Sequence, residues 1–241
     1  MKHIPNFLTC MNLLSGCFAI VFALQGNLII ASRLVFVAGC FDFADGMAAR
    51  LFNYISPIGK ELDSLADVVS FGVVPGVIVY KLMQAGLQTM PFDERIAHCL
   101  PFLAFIIPIF SALRLAKFNI DERQTDKFIG VPTPANAMLI ASLPLIIAID
   151  KYKISPYFEN PWFLIALSVI MSGLLVSELP LFSLKFKNIS WQDNKIRFIF
   201  VAISLALFII LHITAVPFIV LLYIVLSIIN NRVNFSKVLN F

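Results

Sequence analysis

Apolar residues run along this chain in long blocks set apart by short polar breaks. Eight of these blocks are long enough, or nearly so, to cross a bilayer as helices: 8–24, 28–48, 63–83, 97–116, 134–150, 162–180, 196–212 and 214–230. Several are short for a hydrocarbon layer of ~30 Å, so tilt or local thinning has to make up the difference. The boundary between the last two rests on the polar pair His212 and Thr214, followed by Pro217. The apolar run from Phe198 to Ile229 is too long for one crossing, which takes ~20 residues. The first block follows Lys2 and has the outline of a leader peptide. Its tail, FALQGN, lacks a small-x-small cleavage site, so a retained helix is expected. No internal repeat, low-complexity tract or second domain interrupts the pattern. The expected fold is therefore a single all-α polytopic membrane domain over residues 1–241.

Composition agrees. Hydrophobic residues make up 60% of the chain and charged ones 13%, against roughly 25% charged in soluble domains. Lipid is the natural solvent for that surface. The net charge of +4 is small and scattered, which argues against a nucleic-acid partner. Cys10, Cys17, Cys40 and Cys99 form no CxxC pair, and His3, His98 and His212 show no ligand spacing. A disulfide framework or zinc site is not expected. With eight crossings, the side holding the termini and the loops near 50–62, 117–133 and 181–197 carries thirteen of the eighteen Lys and Arg residues. The termini are then expected to be cytoplasmic; an odd number of crossings would split those basic loops.

Against this background four acidic residues stand out. Asp42 and Asp45 lie in GCFDFADGMAAR, and Asp63 and Asp67 in ELDSLADVVSFG. An ionised Asp deep in a bilayer costs ~2.5–3.5 kcal/mol, so four together approach the whole stability of a domain, ~5–15 kcal/mol. Asp42 and Asp45 are three apart and share a helix face; Asp63 and Asp67 are four apart and share another. The two helices are adjacent and joined by a short cytoplasmic loop, so both pairs converge near that membrane face. Four oxygen donors in one place suit a hard cation: magnesium, manganese or calcium. Spacing alone leaves two alternatives open, four solvated helix-end carboxylates or the ion pathway of a transporter. Gly46, Ala48, Ala49 and Gly59 leave the backbone open beside these residues, and Arg50 offers a planar fork for phosphate. Gly72 and Gly76 around Pro75 read as helix packing with a kink.

Read together, residues 42–67 run DFADGMAARLFNYISPIGKELDSLAD. This resembles the signature of the CDP-alcohol phosphotransferases, D-x2-D-G-x2-A-R-x8-G-x3-D-x3-D, with every fixed position and gap matched. PNFLTCMNLLSG, ELDSLADVVSFGVVP, SALRLAKFN and FIGVPTPANA add a likeness to the phosphatidylserine synthase branch of that family. The stretch VSELPLFSLKFK departs from it, being less basic than many relatives there, which puts in doubt any role for Glu178.

The resemblance implies an integral membrane enzyme that moves the phosphatidyl group of CDP-diacylglycerol to the hydroxyl of L-serine and releases CMP. It implies that Asp42, Asp45, Asp63 and Asp67 hold two divalent ions, Mg2+ or Mn2+ with Ca2+ a further candidate, and that Asp67 also acts as general base. Gly46, Ala49, Arg50 and Gly59 are implied as nucleotide or phosphate contacts, with Asn6 and Thr9 seating the cytidine. It also implies a homodimer among membrane lipids, in a bacterial or archaeal cytoplasmic membrane with the active site facing the cytoplasm. Serine's carboxylate needs a cation, and Arg114 and Lys117, three apart at the end of the fourth block, are the candidates; snorkelling to lipid phosphates is the alternative. The same chemistry with glycerol 3-phosphate or inositol phosphate as acceptor remains open, as does an ion transporter.

Overall fold

Proline, glycine and capping side chains divide the chain into helices. In the computed structural model, residues 3–52, 56–90, 93–121, 127–151, 153–182 and 190–239 are described. Helix α1 (Ile4–Leu24) has Pro5 in its first turn, where no N–H is needed. It ends in a turn at Gly26, whose φ of +85° suits glycine alone. Asn27 then caps α2 (Leu28–Leu51) by accepting from the Ile30 N–H at 3.2 Å. The pair forms an antiparallel hairpin that brings the end of α2 back beside the start of α1, with Thr9 2.7 Å from Asp45.

Ser56 caps α3 (Pro57–Asp67), accepting from Gly59 N at 3.0 Å. α3 continues through a π-helical turn, Val68–Val73, into α4 (Val74–Gln88), 32 residues in all. Pro75 has no N–H for the carbonyl four residues back, so the hydrogen-bond ladder slips to a wider register just before it. α5 (Glu94–Cys99), a 3-10 turn (Leu100–Phe105) and α6 (Ile106–Ile120) form the next long stretch. α6 lies against Gly72 and Gly76: a Cβ on them would stand 3.1 Å from Ser111 Cβ and 2.9 Å from Pro108 Cδ. The GxxxG pattern is thus helix packing, as its spacing suggests.

Strand β1 (Lys127–Ile129) leads into α7 (Thr133–Ile149), a single turn α8 (Ser155–Phe158) and α9 (Pro161–Val176). β2 (Pro180–Phe182) pairs antiparallel with β1, Lys127 opposite Phe182. These three-residue strands are the one non-helical regular element among the described residues. α10 (Trp191–Leu211) and α11 (Ala215–Leu239) are separated by a 3-10 turn, His212–Thr214. They double back on each other. The Phe200 and Tyr223 rings lie 5.7 Å apart and both pack on Phe182, whereas one straight helix would separate them by about 34 Å at 1.5 Å per residue. The reversal is at His212, with φ 52°, where the polar pair predicted a break.

Four stretches among the described residues are long and apolar enough to cross a membrane: Ile4–Leu24, Pro57–Gln88, Glu94–Ile120 and Asn194–Asn231; α7 and α9 are shorter apolar helices. α2 has the length, 24 residues, but carries Arg33, Asp42, Asp45 and Arg50. Large apolar side chains face outward along these helices, among them Phe18, Val21, Leu205, Ile210, Leu221 and Val225. Such a surface is at home in lipid, and the chain is a predominantly helical integral membrane protein. Among the basic residues used to orient it, Lys2, Arg123, Lys185 and Lys187 lie outside the described residues, as do the side chains of Lys127, Arg232 and Lys237.

Inside, Phe71, Ile78, Met83, Ile107, Ile140 and Leu143 are fully buried. At one end, polar contacts gather the helix termini. Asn12 of α1 meets Asp67 of α3, Asn119 of α6 meets Ser64, and Arg114 meets Thr133 at the start of α7. Val131 N–H donates to Leu174 O at the end of α9, and the Tyr223 hydroxyl of α11 donates to Phe182 O.

Candidate active site

The α1–α2 hairpin and α3 bring the signature aspartates to that polar end. One oxygen from each of Asp42, Asp63 and Asp67 lies within 4.8 Å of the others. Asp45 is a helical turn from Asp42 and stands to the side. Its Oδ2 accepts from the Thr9 hydroxyl at 2.7 Å, while that hydroxyl also lies 3.0 Å from Pro5 O. Asp67 Oδ1 accepts from Asn12 Nδ2 at 3.2 Å. Asp63 Oδ1 is buried with no hydrogen-bond partner.

Carboxylates so placed repel one another and have left most of their water behind. The described side-chain donors to them, Thr9 and Asn12, are both neutral. No described cationic side chain hydrogen-bonds to the cluster, although Lys60 and Arg114 line a cavity beside it, and the orphaned Asp63 oxygen is free to coordinate a ligand. The residues present fit a hard divalent cation, which takes oxygen donors of this type.

Two cavities flank the cluster. The first, about 150 Å³, is lined by Pro5, Asn6, Thr9, Asp45, Gly46, Ala49, Ser56, Gly59, Lys60 and Asp63. The structure thus places Asn6, Thr9, Gly46, Ala49 and Gly59 together at one opening. A Cβ on Gly46 would meet nothing within 4 Å, so the glycine holds the floor of this cavity open. A Cβ on Gly59 would stand 2.9 Å from the capping Ser56 Oγ and 3.0 Å from Asn6 Oδ1, so both side chains would have to shift to admit one. The Ser56-capped start of α3 also faces this cavity, presenting the positive end of a helix to any anion bound there. Arg50 is exposed at the end of α2 and lines neither cavity.

The second cavity, about 330 Å³, is lined by Asp42, Lys60, Asp63, Ser64, Asp67, Arg114, Leu115, Phe118, Asn119, Pro132 and Pro134. Arg114 is buried; Nη1 donates to Thr133 Oγ1 at 2.9 Å, the guanidinium lies 5.4 Å from the Phe118 ring centre, and Nε has no partner. A buried guanidinium with an unused donor, at a cavity shared with carboxylates, is suited to an anionic ligand group. Lys117 is not brought to this cavity. It faces Glu178 across 3.7 Å with both side chains mostly exposed, in a small groove on the outer side of Arg114.

Sequence reasoning passed over Asn12, Lys60, Ser64, Asn119 and Thr133. A signal for Asn12 was present: Asn6, Thr9, Asn12 and Ser15 are spaced by three along a largely apolar helix, so they form a polar stripe that lipid would not tolerate without partners. Lys60, Ser64, Asn119 and Thr133 carry no comparable mark, because ordinary helix ends at a membrane surface contain such residues.

The sequence model of the CDP-alcohol phosphatidyltransferase family matches residues 2–177. Among curated proteins, the chain is 38% identical over 160 residues to a CDP-diacylglycerol–serine O-phosphatidyltransferase of Bacillus subtilis, covering 64% of this chain and 85% of that one. A protein of the same name from Helicobacter pylori strain 26695 is 34% identical over 228 residues, 93% of this chain and 89% of its own. One from Methanocaldococcus jannaschii is 30% identical over 204 residues, 85% and 82%.

Proposed function

The chain belongs to the CDP-alcohol phosphatidyltransferase family, and from that premise we propose that it transfers the phosphatidyl group of CDP-diacylglycerol to the hydroxyl of L-serine, releasing CMP. The observation that carries the proposal is the carboxylate cluster set between two cavities, one for each substrate. The first cavity takes the nucleotide end of the donor: Asn6 and Thr9 face the cytidine, and Gly46, Ala49 and Gly59 let the phosphates approach the backbone. Arg50, one residue beyond Ala49, meets phosphate from the rim. The second cavity takes serine, with its carboxylate on Arg114.

Asp42, Asp45, Asp63 and Asp67 would hold divalent ions, two per site, with Mg2+ or Mn2+ the working metal and Ca2+ able to bind. Bound there, they supply positive charge to the pyrophosphate as negative charge grows on the departing CMP. Asp67 opens on the second cavity and takes the proton of the serine hydroxyl as its oxygen attacks phosphorus. Asn12 fixes the orientation of that carboxylate from behind. Pro132, Pro134 and Phe118 give the acceptor side apolar walls that limit water, the competing nucleophile.

The whole chain acts as one domain of eight crossings, with both termini and the site at the cytoplasmic face of a bacterial or archaeal membrane, and it works as a homodimer. A second acceptor class has one observation in its favour. Lys60 and Arg114 both line the second cavity, and two cations also suit a phosphorylated alcohol. The deciding experiment offers purified protein CDP-diacylglycerol with L-serine, glycerol 3-phosphate or inositol phosphate and follows CMP release. Release with serine alone is the expected result. Release only with a phosphorylated alcohol replaces serine as the acceptor, and release with none of the three contradicts the proposal.

A further inference from the structure

Lys60 and Asp63 are the two residues that line both cavities. They are three apart on α3 and so share a face. Among the described residues Lys60 is the one cation lining the first cavity; Arg114 lines the second. The Lys60 ammonium donates to Asn119 O at 2.9 Å, in the last turn of α6. Asn119 Nδ2 donates to Ser64 Oγ at 2.8 Å, and Ser64 Oγ donates to Lys60 O at 3.3 Å. The three residues close a ring that ties α3 to α6 and holds the exposed ammonium against Asn119, on the side of the second cavity.

The ring uses one of the three donors an ammonium has. Its acceptor is a helix-terminal carbonyl, a group that water satisfies readily, so the tether is exchangeable. A lysine wanted only to stitch two helices would not need to stand where two cavities meet.

Resting on the function proposed above, we infer that Lys60 binds the distal phosphate of the donor, the one that is transferred, and so distinguishes a nucleoside diphosphate from the monophosphate product. The reacting phosphorus has to be reached from the acceptor cavity while the nucleotide stays in the other, which puts it at the shared wall. In the step, the serine oxygen forms a bond to that phosphorus. The bond from phosphorus to the bridging oxygen breaks, and its electron pair leaves on CMP. The hydroxyl proton passes to Asp67, and Lys60 contributes charge without exchanging a proton. CMP keeps only the near phosphate, loses the Lys60 contact and leaves.

The test compares binding of CDP and CMP to the purified full chain by calorimetry at fixed magnesium. The wild type is expected to prefer CDP, and Lys60→Met to lose about tenfold or more of that preference, the factor a charge-assisted hydrogen bond represents. Lys60→Arg should retain most of it. Ser64→Ala opens the ring but leaves the charge, and should keep the preference. If Lys60→Met does not fold, Lys60→Gln makes the same comparison. Lys60→Met, or Lys60→Gln in its place, keeping the wild-type ratio overturns the inference alone, as does equal loss in Ser64→Ala, which would make Lys60 a clasp and nothing more. A wild type that binds neither nucleotide overturns the inference together with the function beneath it.

Discussion

At the scale of single residues, the site is a problem of charge. The carboxylates of Asp42, Asp63 and Asp67 crowd within 4.8 Å in a protein made largely of hydrocarbon. The signature aspartates differ in their surroundings. Asp45 accepts from Thr9 at the first cavity, Asp42 lines the second, Asp63 opens on both, and Asp67 opens on the second with Asn12 bonded to it. Asp67→Asn keeps the size and one oxygen donor but removes the basicity. Turnover should fall by ~10²-fold or more, in line with general-base contributions, while CDP still binds. Near-normal turnover would remove Asp67 from the base role. Arg114→Ala should raise the serine KM by about 10- to 150-fold, the equivalent of a lost charge-assisted hydrogen bond of ~1.5–3 kcal/mol, and change the donor KM much less. A rise in the donor KM instead would assign Arg114 to phosphate. Lys117→Ala should move neither constant, since an exposed ion pair is worth ~0–1 kcal/mol. The aspartates stand out in the sequence because charge inside an apolar run has to be explained, and Arg114 because serine's carboxylate needs a cation near the end of the fourth block. Lys117 shows the limit of the same reasoning. Three residues on a helix advance 300°, so it sits about 60° round from Arg114, enough to point it at Glu178 and not into the cavity.

At the scale of elements, the site depends on close approach of α1 to the helix that carries Asp63 and Asp67. Ser70, in the π-helical turn just after Asp67, donates to Asn12 O at 3.0 Å. Gly16, one turn further along α1, leaves room for Ser70; a Cβ there would stand 3.1 Å from the Ser70 Cα and run into its hydroxyl. Gly16→Leu should therefore push the two helices apart at a cost of about 1–3 kcal/mol, the usual price of overpacking. The thermal midpoint in detergent should drop, and turnover should fall with it as Asn12 leaves Asp67. An unchanged midpoint and rate would mean that this contact does not position the site. The helices themselves were largely readable from block length and from Pro, Asn and Ser at their starts. The two strands were not, since each is three residues long and their partners lie some fifty positions apart, leaving no local pattern. The π turn was half visible: Pro75 announced a disturbance, but only the fold shows it widening the helix directly after Asp67.

At the scale of the whole molecule, alternation is the organising fact. The starts of α1, α3 and α7 and the ends of α2, α6 and α9 gather at the polar end, with β2 and the α10–α11 hairpin packed beside them. The proposed eight crossings, with both termini on one side, would account for that alternation. In a cysteine-free background, Lys117→Cys should react with an impermeant thiol reagent from the cytoplasmic side. Gln25→Cys, in the exposed α1–α2 turn at the other end, should react from outside. Labelling of both from the same side contradicts the arrangement. The basic-loop bias is an expectation of orientation drawn from sequence alone, whereas the gathering of helix ends needs three dimensions.

The claim that joins these scales is that the carboxylate cluster carries a metal-assisted transfer from the donor in one cavity to serine in the other. The most direct measurement is CMP release from CDP-diacylglycerol by metal-stripped protein, with magnesium and L-serine added singly and together. Release only when both are present, with phosphatidylserine formed in equal amount, is the predicted result. Full release without metal, or release with metal that is indifferent to serine, would contradict it.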